Sequence, residues 1–300
     1  MSTSASLARL GEDGLLHLLT GRWQTDARKI FVGTGDDCAV LRGEGKSNYL
    51  LFKTDAVVES VHFRPREKPE LIGRKALARA LSDLAAMGAT PLAAVITLGV
   101  AKRESVRRLK GIYAGLEKIA KKYGVNLVGG ETTRAKELFL NVALLGECRG
   151  YAPVLRSGAK PGDLIAVTGR LGGTRVAKHL QFEPRLAEGQ WLARKKFATA
   201  MMDLSDGLGA DLPRLARASG VSFRLEAGTI PRSPKTSLRA AISDGEDYEL
   251  LFTVRSALAE KLKKEWPFAT PVHFIGAMGR RGAKSGFPRG TYGFDHFKQH

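Results

Sequence analysis

Apolar and polar positions change their period repeatedly along the chain, and each change predicts an element. Residues 7–30 read as a short helix followed by a connector, and Tyr49 to Phe52 as a strand-like run. From Pro69 a helix runs to Met87, with Leu77, Leu81, Leu84 and Gly88 recurring at helical spacing. Gly88, with Pro91 beyond it, is its stop signal. Residues 92–99 predict a second strand. Over 104–123, Val106, Leu109, Ile112, Leu116, Ile119 and Tyr123 make one apolar stripe that Gly124 closes, which predicts an amphipathic helix. Val125 to Val128, a turn at Gly129-Gly130-Glu131-Thr132-Thr133 and a strand at 138–146 complete the first half.

Composition shifts at 147–163, where Gly, Pro and basic residues accumulate, and this predicts a boundary between domains 1–150 and 151–300. Beyond it, Leu164 to Thr168 reads as a strand and 169–174 as a turn into a helix. A connector with Pro184 follows, then a strand at Ala200–Leu204, a helix at 208–219 and a strand at 221–225. Strands at 249–254 and 272–276 flank a helix from Ser256 to Trp266. Strand pairs joined by short links imply mixed or antiparallel sheets, so the expected class is α+β, as two α/β-layered domains.

The chain has 300 residues, enough for two domains with cores. Its 43% hydrophobic content is that of a soluble globular protein. Cys38 and Cys148 lack metal-site spacing and read as buried or free thiols of a reducing compartment. With neither a signal-peptide core nor an apolar run of membrane-spanning length, the expected location is the cytoplasm. Net charge is +18, but the basic residues are spread out and no nucleic-acid motif accompanies them. The charge therefore reads as a solvated surface that attracts phosphorylated substrates rather than nucleic acid.

Chemistry is first narrowed by exclusion. There is no G-x-x-x-x-G-K-[ST], no complete G-x-G-x-x-G, no G-x-S-x-G and no H-E-x-x-H. What remains is a surplus of carboxylates at predicted element ends: Asp37, Asp55, Asp83, Glu131, Asp203 and Asp206. Taken singly, Gly33-Thr-Gly35-Asp-Asp is an ordinary turn, and Ser205 or Asp206 an N-cap. Gathered in one cleft, six carboxylates would repel one another unless several Mg²⁺ ions neutralised them, which points to a polyphosphate ligand.

Eight motifs, in order over residues 10 to 297, carry a resemblance. They are Gly35-Asp-Asp-Cys-Ala39; Thr54-Asp55 with Val61-His62-Phe63; Leu81-Ser-Asp-Leu-Ala-Ala-Met-Gly-Ala89; Gly129-Gly-Glu-Thr-Thr133; Arg156-Ser-Gly-Ala-Lys-Pro-Gly-Asp163; Asp203-Leu-Ser-Asp-Gly-Leu208; Gly245-Glu-Asp-Tyr-Glu-Leu250; and Gly293-Phe-Asp-His-Phe297. Together they resemble the thiamine-monophosphate kinases of the aminoimidazole-ribotide synthetase-like superfamily. The resemblance implies an N-terminal metal- and nucleotide-binding domain whose sheet pairs across a homodimer, and a C-terminal α+β domain closing the cleft. It implies transfer of the ATP γ-phosphoryl group to thiamine monophosphate, with Asp55, Asp83 and Asp206 catalytic. Magnesium would be held by Asp37, Thr54, Asp55, Asp83, Glu131, Asp203 and Asp206. ATP contacts carry over to Gly130, Glu131, Arg156 and Ser205, and substrate contacts to His62, Glu246 and Phe294. A catalytically diverged member that binds ATP-Mg, or one acting on another small phosphorylated acceptor, is the alternative. Two positions depart from the family pattern: Lys53 stands where a metal-holding Ser is usual, and Glu131 where Asp is usual.

Overall fold

The computed structural model describes residues 6–45, 47–174, 178–283, 286–287 and 293–294. In chain order its elements are α1 (Leu7–Thr20), β1 (Ile30–Val32), β2 (Ala39–Arg42), β3 (Asn48–Val58), α2 (Pro69–Ala86), β4 (Thr90–Val100), α3 (Val106–Tyr123), β5 (Asn126–Arg134) and β6 (Phe139–Arg149). After a connector come β7 (Leu164–Thr168), α4 (Lys178–Gln181), α5 (Leu186–Arg194), β8 (Ala198–Asp203), α6 (Leu208–Ser219), β9 (Ser222–Leu225), α7 (Leu238–Ser243), β10 (Leu250–Val254), α8 (Ala259–Glu265) and β11 (Val272–Gly279). The expected α+β class with mixed and antiparallel sheets is what is found. One sheet has the order β1-β2-β3-β6-β4-β5 and the other β8-β10-β7-β11-β9. Among the described residues, the β4–β5 strand pair is parallel and the other strand pairs are antiparallel.

Three local expectations change. Gly129 to Thr133 is not a turn: β5 runs straight through it as an edge strand against β4. The backbone at Gly130 lies so close that a Cβ there would stand 1.8 Å from the Ile96 carbonyl oxygen, which only glycine permits. The Lys53-Thr54-Asp55 segment is not a strand end either, because β3 continues to Val58. The connector after Pro184 contains helix α5, whose Leu186 and Leu192 are buried.

Helix α2 is the pivot of the molecule. Its Ile72, Leu77, Leu81 and Leu84 join Leu51, Val57, Leu140 and Val142 of the first sheet to Met201, Leu250 and Phe252 of the second in one apolar cluster. The far face of the second sheet buries Ile165, Val167, Met202 and Leu251 against Leu208, Leu212 and Leu215 of α6. A helix buried nearly all round must be apolar nearly all round, and the exceptions on α2 are therefore informative. Lys75, Arg79, Ser82 and Asp83 recur at helical spacing and form one polar stripe.

The α2–α3 contact depends on two small residues. A Cβ at Gly73 would lie 1.8 Å from the Ile112 carbonyl oxygen, and one at Gly115 would lie 1.9 Å from that of Glu70. Backbone cannot yield as a side chain can, so Gly115→Ala must push the helices apart. The expected cost is about 1–3 kcal/mol of stability, read as a lower denaturant midpoint at unchanged m-value; an unchanged midpoint would contradict this packing.

Candidate active site

Arg79 and Asp83 of the polar stripe of α2 line a cavity of about 760 Å³ between the two sheets. Its walls include Asp36, Lys53, Asp55, Asp83, Arg156, Asp203, Ser205 and Asp206, with His62, His179, Glu246 and Phe294 further along. Each acidic residue arrives by a different route. Asp37 follows the Gly35 turn, Asp55 sits on β3, Asp83 on α2, and Asp203 ends β8. The side chains of β3 alternate between faces, so Lys53 and Asp55 share one face while Thr54 occupies the other. Thr54 borders the cavity, but its hydroxyl donates to Asn141 Oδ1 (2.9 Å) on the open side of the sheet.

At the inner end, carboxylate oxygens of Asp37, Asp83 and Asp203 lie within 4.8 Å of one another, and all three residues are buried. Arg156 donates to Asp37 Oδ1 through its Nη2 (2.6 Å) and Nε (3.2 Å). Lys53 Nζ is 2.9 Å from Asp83 Oδ1. Among the described residues the side-chain partner of Asp203 is neutral: it accepts from the Ser82 hydroxyl at 2.6 Å. Asp37 Oδ2 is buried without a hydrogen-bond partner among the described residues. An orphaned buried carboxylate oxygen beside two more carboxylates is an expensive arrangement, and an all-oxygen donor set of this kind fits a hard divalent cation.

The electrostatics carry the same message. Burial, and then the Asp37 charge, push the Asp203 carboxyl up to about 7 against the Ser82 hydrogen bond. Asp36 is pushed up to about 7 by burial and by Asp37. Asp83 is raised by burial, which the Lys53 ammonium opposes. These groups cannot all ionise in a low dielectric without cations to share.

Beside this cluster, Asp55 pairs with Arg79 Nη2 (3.1 Å). Asp206 pairs with Arg214, which also bonds Asp211 Oδ1 (2.9 Å) and Asp13 Oδ1 (3.2 Å). The N-cap reading of Ser205 and Asp206 fails. The N-cap of α6 is Gly207, and the Asp206 N–H instead donates to Asp211 Oδ2 (3.0 Å).

At the cavity's other end Lys75 is wholly buried. Its ammonium donates to the His62 carbonyl (2.6 Å), contacts His179 Nδ1 (2.9 Å) and pairs with Glu246. Glu246 and Tyr248 both hold positive φ, 65° and 51°, a strained choice for side chains of this size. Hydrogen bonds from their N–H groups to the carbonyls of Ser205 (2.6 Å) and Leu204 (2.8 Å) pin them there, and Tyr248 stacks on Phe182. Phe294, 42% exposed, donates its N–H to the Asp206 carbonyl (2.8 Å). The rest of its motif, Asp295 to Phe297, lies outside the described residues.

The structure thus brings Asp37, Asp55, Asp83, Arg156, Asp203, Ser205 and Asp206 to one cleft, with His62, Glu246 and Phe294 along its wall. Gly130 and Glu131 are elsewhere, on exposed edge strand β5. There the register carries Glu131 into one row with Thr97 and Asn141, on the face that bears Thr54. Sequence reasoning overlooked Lys75, Arg79, His179, Arg214 and Asp211. The i, i+4, i+8 recurrence of Lys75, Arg79 and Asp83 in an otherwise apolar helix was the available signal for two of them.

The raised carboxyls set a stability profile. An unfolded Asp titrates near 4, whereas Asp36 and Asp203 hold their protons up to about 7. The folded state binds more protons between those values, so this stabilisation is complete below about 4 and lost as pH rises through about 7. Melting of the metal-free protein is expected to fall by several degrees from mildly acidic to mildly alkaline pH. In Asp203→Asn, which keeps the shape and cannot ionise, the fall should be shallower; an equally steep fall would contradict the assignment.

Comparison with known proteins agrees with this architecture. The family model for AIR synthase related protein, N-terminal domain, matches residues 35–148. A thiamine-monophosphate kinase of Rhodopirellula baltica is 35% identical, covering 90% of each chain. Another, of Salmonella typhimurium, is 34% identical over 96% of this chain and 98% of its own. Among solved structures, AaThiL complexed with AMPPCP and TMP superposes with a TM-score of 0.83 at 29% identity, over 98% of this chain and all of that one. A HypE–HypF complex, at 20% identity and a TM-score of 0.70, shares the fold.

Proposed function

The chain belongs to the thiamine-monophosphate kinase family, and on that premise we propose that it transfers the γ-phosphoryl group of ATP directly to thiamine monophosphate, giving thiamine diphosphate and ADP. The observation that carries the reading is the convergence of Asp37, Asp83 and Asp203 within 4.8 Å at the end of a cavity lined by Arg156 and Glu246.

The residues suit such a transfer. A phosphate monoester is mostly the dianion at neutral pH, so no strong general base is needed, and the absence of a nucleophile–base pair from the sequence motifs is in keeping. The obstacle is bringing two anions together. Asp37, Asp55, Asp83, Asp203 and Asp206 would hold magnesium, which supplies charge neutralisation and alignment when bound. The Arg156 guanidinium, lining the cavity beside Asp37, is placed to meet nucleotide phosphate. Ser205 holds the Glu246 backbone in its strained conformation through its carbonyl. Lys75 and His179 orient the Glu246 carboxylate, which, with the Phe294 ring, offers a flat cationic thiazolium an anionic and a π partner.

In this reading residues 1–150 bring Asp37, Asp55 and Asp83 to the metal site, and residues 151–300 close it with Arg156, Asp203 and Asp206. The first sheet has one open face carrying Phe52, 51% exposed, and Val95, 41% exposed, in rows with Leu145 and Ala143. A second copy of the chain would cover these apolar positions, on the same face that presents Thr54 and Glu131. Among the described residues no helix is long and apolar enough to cross a membrane, and a cytoplasmic site of action fits a kinase using ATP.

Incubation with ATP, Mg²⁺ and thiamine monophosphate should yield thiamine diphosphate and ADP in equal amounts, followed by chromatography. Asp83→Asn and Asp206→Asn should each lower turnover at least about a hundredfold while circular dichroism stays native. Wild-type rates in either variant, or ADP without thiamine diphosphate, would refute the reading.

A further inference from the structure

The acidic cluster contains its own cation. Three carboxylates meet at Asp37, Asp83 and Asp203, and two protein cations already reach them, Arg156 on Asp37 and Lys53 on Asp83. The third carboxylate, Asp203, accepts from the Ser82 hydroxyl and forms no ion pair among the described residues. Of the cluster's oxygens, Asp37 Oδ2 is the one that is buried with no hydrogen-bond partner among the described residues. The side of the cluster that still calls for a cation is therefore Asp37 and Asp203, and the side already supplied is Asp83.

Lys53 is not there by accident of a flexible side chain. The alternation of β3 sends residue 53 to the face of Asp55 and away from that of Thr54, so whatever stands at this position addresses the cluster. There the Lys53 ammonium forms an ion pair with Asp83 Oδ1 at 2.9 Å. An ammonium donates hydrogen bonds and has no lone pair for a metal. It can supply charge at this spot, and it excludes a metal ion from it.

We infer that Lys53 is a resident monovalent cation of the active site that takes the place of one divalent ion, so that this chain binds one fewer ion at its carboxylates than the same cleft without the lysine. The inference rests on the kinase reading above. It also makes Lys53 a positioning residue, since it fixes the Asp83 carboxylate in the absence of metal.

The test counts metal. Mn²⁺ bound per chain is measured by electron paramagnetic resonance in the presence of saturating AMPPCP, for the wild type, Lys53→Met, Lys53→Ser and Lys53→Arg. The Met and Ser variants should each bind one ion more than the wild type, and the Arg variant the same number. In EDTA the Met variant should melt several degrees below the wild type and recover with millimolar Mg²⁺. Equal stoichiometry in wild type and neutral variants would overturn the inference alone. So would neutral variants that stay unfolded even in Mg²⁺, because an ion could then not stand in for the ammonium. If no variant, wild type included, binds Mn²⁺ with the nucleotide analogue, the kinase reading falls and takes the inference with it.

Discussion

Like charge held close in a poorly solvated place is the constraint on which this molecule is organised. Asp37, Asp83 and Asp203 come from a turn, a helix and a strand end separated by up to 166 positions (203 minus 37), and their oxygens lie within 4.8 Å. Such a grouping persists only if cations share it. The chain supplies some of them itself: Arg156 at Asp37, Lys53 at Asp83, Arg79 at Asp55 and Arg214 at Asp206. Of Asp37, Asp55, Asp83, Asp203 and Asp206, Asp203 alone has no basic side-chain partner among the described residues, and the cluster is still left with an Asp37 oxygen that has no hydrogen-bond partner among them. The repulsion that remains is what a metal-bound triphosphate could relieve, and binding and charge neutralisation then become one event.

The scaffold follows from that requirement. Helix α2 is apolar on nearly every side because it lies between two sheets, and it carries its charged stripe to the one place where the sheets part. Close packing of α3 on α2 through Gly73 and Gly115 fixes where that stripe points. On the opposite wall, positive φ at Glu246 and Tyr248 is backbone strain spent where a carboxylate must face the cavity. The rigid parts of the fold and the strained ones meet at the same site.

Much of this was legible beforehand, for identifiable reasons. Helices α2 and α3 announced themselves because their apolar residues recur at helical spacing, and Asp83 lies within the first of them. Asp37, Asp203 and Asp206 were legible because glycine-rich or apolar surroundings give a carboxylate no local partner. The pairings themselves were not, since Lys75 meets Glu246 across 171 positions and nothing local marks that contact. Strand β5 was misread as a turn because Gly129-Gly130 signals a turn by itself, and only the nearness of β4 shows that the glycines serve close strand pairing. Face is likewise a tertiary fact. Thr54 and Asp55 are neighbours in sequence, yet the strand sends them to opposite sides of the sheet.

The central claim is that these scattered carboxylates jointly hold divalent ions beside a nucleotide. Anomalous diffraction from crystals grown with Mn²⁺ and AMPPCP tests it most directly. The account predicts a manganese peak bounded by Asp37 and Asp203, with the analogue's phosphates adjoining it and Arg156. Manganese confined to other surfaces, with this crevice holding neither metal nor phosphate, would contradict it.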